Sequence, residues 1–132
     1  MFKTVLFPID RSREAQEAAH VVVEIVQKYG SRLILLSVVE AAEDAGEGME
    51  SPDVVAQLLE NAQALFQQKG IQTEAMEREG KPAFVICDVA DEVGANLIVM
   101  GCRGLGLTEE GVTESVTNRV INLSPCPVLV VP

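Results

Sequence analysis

Five short, mostly apolar runs alternate with longer amphipathic segments along the chain. The runs are residues 2–9, 32–39, 71–77, 96–101 and 128–131. Short apolar runs bounded by turn residues are typical of buried β-strands. The third run alternates with polar residues, which predicts a strand near the edge of a sheet.

The segments between these runs carry helix signals. Helices are predicted at residues 12–29, 52–69, 82–94 and 115–123. In the first of them apolar residues recur at intervals of three and four, and Ser12 and Gly30 supply start and stop signals. Pro52 and Pro82 stand where a proline is favoured, in the first turn of a helix.

The resulting order, β-α-β-α-β-α-β-α-β, determines the fold class. Apolar strands separated by helices indicate a parallel sheet that is covered on both faces. The sequence therefore predicts an α/β protein: a single doubly wound, Rossmann-like domain over residues 1–132, with a five-stranded parallel sheet and four helices. Ligands of such sheets bind outside the carboxyl ends of the strands, near a switch in strand order.

Charge and composition exclude several functions. The chain has 20 Asp and Glu against 10 Lys and Arg, a formal net charge of −10. Scattered basic residues argue against direct binding of nucleic acid, which requires clustered cations. No apolar stretch reaches the roughly 18 residues of a membrane span. The first residues lack the pattern of a signal peptide, so a cytoplasmic protein is expected.

The cysteines and the histidine suggest neither a metal site nor a nucleophile. Cys87, Cys102 and Cys126 are widely spaced, and His20 is the only histidine. This spacing is not that of a zinc site. Buried or bystander thiols are expected, with Cys102 the most exposed, and His20 is interpreted as a helix residue.

Candidate binding groups follow the first and fourth strands. Asp10 follows the first strand, and Gly101, Arg103 and Gly104 follow the fourth. Helix N-termini offer N–H donors, and glycines let a ligand approach the backbone closely, so together these groups suit a nucleotide. Two other interpretations stay open: Asp10 as a helix cap, and the glycines as tight turns. The pattern of a P-loop is absent, and no arrangement of residues requires an enzyme.

Three stretches carry a resemblance to a known family. Through VLFPID at the start, LIVMGCRGLG after the fourth strand and SPCPVLVVP at the end, the chain resembles the universal stress protein (UspA-like) family over essentially its whole length. The resemblance implies a sheet of the adenine nucleotide alpha hydrolase-like type. It also implies a homodimer formed by pairing of the last strand of each subunit, residues Val128, Leu129, Val130 and Val131. The alternative is that this strand only completes the sheet of the monomer.

The ATP-binding branch of this family carries G-x-x-G, nine residues, then G-[ST]. Here Gly101 and Gly104 match, nine residues follow, Glu114 replaces the next glycine, and Ser115 keeps the hydroxyl. Arg11 also departs from the small residue that usually follows the aspartate. The resemblance implies that Asp10 lies on the ribose side and Val39 on the adenine side. The full set predicted to bind nucleotide is Pro8, Asp10, Val39, Gly101, Arg103, Gly104, Ser115, Val116 and Thr117.

Glu114 bears on which ligand this loop accepts. A carboxylate about 4 Å from a phosphate charge costs about 1 kcal/mol in water and about 4 kcal/mol at an effective dielectric of 20. An anion in the first turn of a helix also contributes roughly 0.3–1 kcal/mol, so Glu114 could replace a phosphate there. The protein is expected either to prefer AMP-like ligands with fewer phosphates or to bind no nucleotide.

The sequence favours a cytoplasmic, homodimeric protein that binds an adenine nucleotide, AMP or ATP with or without Mg²⁺, in stress response or signalling. Ligand occupancy would change the contact of residues 102–114 with a partner protein. The alternative is a nucleotide-free dimer that acts purely as an interaction module. In either case the acidic residues 40–53 are a candidate docking surface or a solvated connector. A hydrolase, with Asp10 or Glu114 orienting water, would be at most a slow, incidental ATPase.

Overall fold

The fold comes from a computed structural model, which describes residues 2–9, 13–39, 52–101 and 116–132. Nine elements follow one another in the predicted order. They are β1 Thr4–Pro8, α1 Arg13–Tyr29, β2 Arg32–Val39, α2 Pro52–Gln68, β3 Thr73–Glu79, α3 Pro82–Val93, β4 Leu97–Gly101, α4 Val116–Leu123 and β5 Val128–Val131. The predicted alternation of strands and helices is confirmed.

The five strands form one sheet in the order β3-β2-β1-β4-β5. All four neighbouring pairs are parallel. The chain runs outward from β1 through β2 to β3, then returns to the other side of β1 with β4 and β5. The strand order therefore switches between β1 and β4, and the predicted doubly wound parallel sheet is confirmed.

Alternating side chains of the strands build a core on each face of the sheet. Val5 and Phe7 pack on the face that α1 and α2 cover, where the rings of Phe7 and Phe66 meet edge to face at 6.3 Å. Leu6 packs on the opposite face, with α3 and α4. These three layers explain why the central strands read as continuous apolar runs, since both of their faces are buried.

The helices are amphipathic and lie on the surface. In α1, Ala18 and Val22 are fully buried, whereas Glu17 and His20 are exposed. His20 is thus a helix residue, as predicted. Across the described ranges, the structure contains no helix with the length and apolar character needed to cross a membrane.

The third strand begins two residues later than its sequence suggests. Ile71 is apolar but belongs to the turn before β3, where its N–H donates to the carbonyl oxygen of Phe66 at 3.0 Å. Its side chain is 6% exposed and packs in the core with α1 and α2. The strand itself runs from Thr73 to Glu79 and is largely exposed. Its position at the sheet edge agrees with its polar alternation.

Two of the three cysteines lie in the described part of the chain, and both are free thiols. Cys87 is buried and Cys126 is half-buried against the α3–α4 core. Burial raises the pKa of both thiols, and a hydrogen bond from Ser124 partly opposes this effect at Cys126. A raised pKa lowers the thiolate fraction, so these thiols suit packing rather than chemistry. Cys102 lies outside the described residues.

Candidate functional site

The switch in strand order places the ends of β1 and β4 side by side. Residues Val5 and Leu6 of β1 pair with Leu97 and Ile98 of β4. Beyond this pairing, β1 ends at Pro8 and β4 ends at Gly101. The sequence-predicted site therefore begins where a doubly wound sheet binds its ligands.

The carboxyl end of β1 is held against β2. Pro8 is aligned with Leu36 in the parallel register. The N–H of the next residue, Ile9, donates to the carbonyl oxygen of Leu36 at 2.8 Å. This bond fixes the backbone direction up to the position before Asp10, the candidate ribose ligand.

A hydrogen bond connects the end of β4 to the first turn of α4. The hydroxyl of Thr117 donates to the carbonyl oxygen of Gly101 at 2.9 Å. Thr117 is 7% exposed, and the neighbouring Val116 packs against the α3–α4 core. The side of the site predicted to hold phosphate is thus bounded by two backbone segments that contact each other directly.

The end of β2 forms a separate part of the same sheet edge. Val39 is its last residue, is 9% exposed and packs in the core with α1 and α2. Its carbonyl oxygen accepts a 2.9 Å hydrogen bond from the N–H of Gly80, in the turn between β3 and α3. Gly80 was not among the residues predicted from sequence, although a glycine directly before Lys-Pro is a turn signal.

The structure describes the positions of five of the nine residues predicted to bind nucleotide. Pro8, Gly101, Val116 and Thr117 border the switch point between β1 and β4, and Val39 ends the strand on the other side of β1. The other four lie outside the described residues; they are Asp10, Arg103, Gly104 and Ser115. Glu114, the residue that departs from the family pattern, lies there too.

The described part of this edge contains few ionisable side chains near the switch point between β1 and β4. In the described ranges no cluster of three or more His, Cys, Asp or Glu side chains could hold a metal ion. Arg32 and Glu74 form an ion pair near the first residues of β2 and β3, at the opposite end of the sheet. Backbone groups, a buried apolar side chain and a short helix are what the described chain contributes at the carboxyl edge.

Comparisons with known proteins agree with this architecture. The sequence model of the universal stress protein family matches residues 1–132. A curated relative, Universal stress protein Sll1654 of Synechocystis, is 66% identical over 136 residues, which cover 100% of this chain and 87% of the relative. The family likeness thus extends over the whole sequence and includes both ends of the sheet.

Two solved structures of similar fold contain adenine nucleotides. One is a universal stress protein in complex with cAMP, with a TM-score of 0.80 and 23% identity over 99% of this chain and 97% of the other. The second is the universal stress protein of Archaeoglobus fulgidus in complex with dAMP, with a TM-score of 0.76 and 22% identity over 99% of this chain and 98% of the other. At 23% and 22% identity, these similarities establish that this chain shares the fold of the two structures.

Proposed function

The chain belongs to the universal stress protein family, and on this premise we propose that it binds an adenine nucleotide at the carboxyl edge of its sheet. The observation that carries the proposal is the position of the glycine loop. Gly101, its first residue, ends β4 at the strand-order switch beside the end of β1. A doubly wound sheet binds its ligands at this position.

The proposed ligand lies across the ends of β2, β1 and β4. The adenine would lie near Val39, the last residue of β2, whose buried side chain packs in the core beneath this edge. Asp10 would accept hydrogen bonds from the ribose. The phosphate would be held by Gly101, Gly104 and Ser115, with the cation of Arg103 close by, because backbone N–H groups and a helix start favour anions.

A ligand with few phosphates fits this chain best. Glu114 adds a negative charge at the position where the family pattern has a glycine, and repulsion increases with each phosphate charge. The two solved structures of similar fold are complexes with cAMP and dAMP, each of which carries a single phosphate. We therefore propose that AMP-like nucleotides bind more tightly than ATP, and that Mg²⁺ matters only for a polyphosphate.

The same proposal includes a cytoplasmic homodimer in which nucleotide occupancy alters contact with a partner protein. Its support is the exposure of the β5 edge. β5 pairs with β4 on one side in this sheet, and Leu129 in its middle is 38% exposed. An apolar edge strand of this kind readily pairs with another strand. The second candidate function is a nucleotide-free dimer that acts as an interaction module.

Calorimetric titration with AMP, ADP and ATP, with and without Mg²⁺, tests the proposal. Low-micromolar binding of AMP and progressively weaker binding of ADP and ATP are expected. GMP is the matched control, because it shares the ribose and phosphate but not the adenine. The absence of both heat and thermal shift at millimolar nucleotide would overturn nucleotide binding and favour the interaction module.

A further inference from the structure

Thr117 links the two backbone segments that border the glycine loop. Its hydroxyl donates to the carbonyl oxygen of Gly101, sixteen positions earlier in the chain, at 2.9 Å. The side chain is 7% exposed. A hydroxyl buried to this extent loses its contact with water, so breaking the bond would leave the hydroxyl without a partner.

We propose that the hydroxyl of Thr117 is a positioning group of the nucleotide site. Its hydroxyl proton is committed to Gly101, and its side chain is buried beside Val116, which packs against the α3–α4 core. The bond holds the end of β4 and the first turn of α4 at a fixed separation in the free protein. This inference rests on the proposed nucleotide binding and specifies how the phosphate side of that site stays assembled.

The two segments also meet in the core, because Met100 of β4 is in the buried cluster against which Val116 of α4 packs. Gly101 is aligned with Val131 in the β4–β5 register. The body of α4 is anchored by Val120, which is 0% exposed and packs with α3. Because α4 has only eight residues, its first turn depends on tertiary contacts rather than on helix propensity. The Thr117 bond is a contact of this kind that acts at the first turn itself.

Loss of the Thr117 hydroxyl would weaken nucleotide binding by changing the conformations that the free protein adopts. If the first turn of α4 leaves its position part of the time, the apparent Kd rises as the inverse of the fraction that remains competent to bind. A competent fraction of about one tenth gives an apparent Kd about tenfold higher. The effect would be largest for nucleotides with a phosphate and small for adenosine, which does not use the phosphate side.

Three variants test this inference with AMP and adenosine as the probes. Thr117→Val keeps the shape of the side chain and removes the hydroxyl, and Thr117→Ser restores the hydroxyl. Val89→Ala is the matched control, because Val89 is 2% exposed in the same core cluster but lies on α3. Urea unfolding gives the stability of each variant, and calorimetry is done where each is fully folded.

Thr117→Val is expected to raise the Kd for AMP about tenfold. Thr117→Ser is expected to restore the wild-type Kd. Val89→Ala is expected to lose stability but keep the wild-type Kd. If Thr117→Val binds AMP as wild type does, the positioning role is overturned while nucleotide binding stands. A purely structural role would give equal changes in Kd for Thr117→Val and Val89→Ala, which also overturns the inference. If wild type binds neither AMP nor ATP, the proposed function fails and this inference fails with it.

Discussion

The N–H of Gly80 donates to the carbonyl oxygen of Val39 at 2.9 Å, which ties the turn before α3 to the end of β2. Gly80 has a φ of +146°, and a Cβ added there would lie 2.7 Å from Cγ2 of Val85. Both facts require glycine at this position. The turn that borders the proposed adenine side therefore depends on one residue without a side chain.

Gly80→Ala is expected to lower the free energy of unfolding by about 1–3 kcal/mol, the range for a residue held in a sparsely populated backbone conformation. The clash with Val85 adds to this loss unless the α3 start moves. Urea denaturation measures the effect. If the turn also shapes the adenine side, AMP should bind more weakly to the same variant.

Two further variants separate backbone strain from the clash. Gly70→Ala is the control for strain, because Gly70 has a φ of +79° with no atom within 4 Å of an added Cβ. Val85→Ala combined with Gly80→Ala removes the clashing methyl group, so the double variant should lose less stability than the sum of the single ones. A double variant that loses the full sum of the single losses would show that the contact with Val85 has no effect.

Leu129→Lys is expected to convert a homodimer into a monomer. Leu129 is 38% exposed in the middle of the edge strand β5, and a lysine on an edge strand prevents pairing with another chain. Light scattering after size exclusion measures the mass. Leu65→Lys is the control, since Leu65 is 45% exposed on α2 and should leave the mass unchanged. A dimeric Leu129→Lys, or a monomeric wild type, would contradict pairing through β5.

The ion pair between Arg32 and Glu74 gives a pH-dependent contribution to stability. The guanidinium contacts both carboxylate oxygens, one of them at 2.7 Å, and this hydrogen bonding lowers the pKa of Glu74. Because the pKa is lower in the folded state, the stabilisation is present above the unfolded pKa and is lost as the pH falls through the folded pKa. Both side chains are about half exposed, so the contribution is small.

Glu74→Gln should therefore be slightly less stable than wild type at neutral pH and equal to it in acid, below the lowered pKa. Urea midpoints across this range measure the difference. Glu77→Gln, an exposed carboxylate of the same strand, is the control for a general change in net charge. A difference between wild type and Glu74→Gln that persists unchanged in acid would show that the charge of Glu74 is not its source.

The fold was predictable from sequence because each element carries a local signal. Arg32–Val39 and Val128–Val131 are apolar runs whose predicted bounds equal those of β2 and β5. Gly94, with a φ of +67°, ends α3 as a left-handed C-cap. Hydrophobic periodicity, capping residues and turn glycines are properties of neighbouring residues, so they can be interpreted without knowledge of the tertiary structure.

The contacts that shape the candidate site were not predictable in the same way. Thr117 was predicted to bind nucleotide, but its bond to Gly101 spans sixteen positions and has no local sequence signal. Ile71 was predicted to start a strand, whereas its packing beneath the helices places it in a turn. Gly80 was not singled out, because the need for a glycine there depends on the folded protein. Its N–H bonds to Val39, and a Cβ at this position would meet Val85.

Glu114 is the residue on which the proposed preference for AMP-like ligands rests. It replaces a glycine of the family pattern, and it belongs to residues 102–115, which lie outside the described residues. Its expected effect on a ligand follows from its negative charge. One carboxylate at about 4 Å from a phosphate charge opposes binding by about 1 kcal/mol in water and by about 4 kcal/mol at an effective dielectric of 20. At about 1.4 kcal/mol per tenfold change, removal of this repulsion by Glu114→Gly should tighten ATP binding by about fivefold to several hundredfold.

Glu114→Gln separates the two ways in which the residue could act. It removes the charge but keeps a side chain, so it should recover only the electrostatic part of the gain in affinity. A contribution from backbone strain, roughly 1–2 kcal/mol for a left-handed conformation, would be recovered by Glu114→Gly alone. For both variants the gain should be larger for ATP than for AMP, because ATP carries more negative charge. Calorimetry measures the affinities of wild type and of both variants for AMP and for ATP. It is done in low salt because ions screen the repulsion. If Glu114→Gly binds ATP no better than wild type, the glutamate does not select against polyphosphates, and the expected preference for AMP-like ligands loses its physical basis.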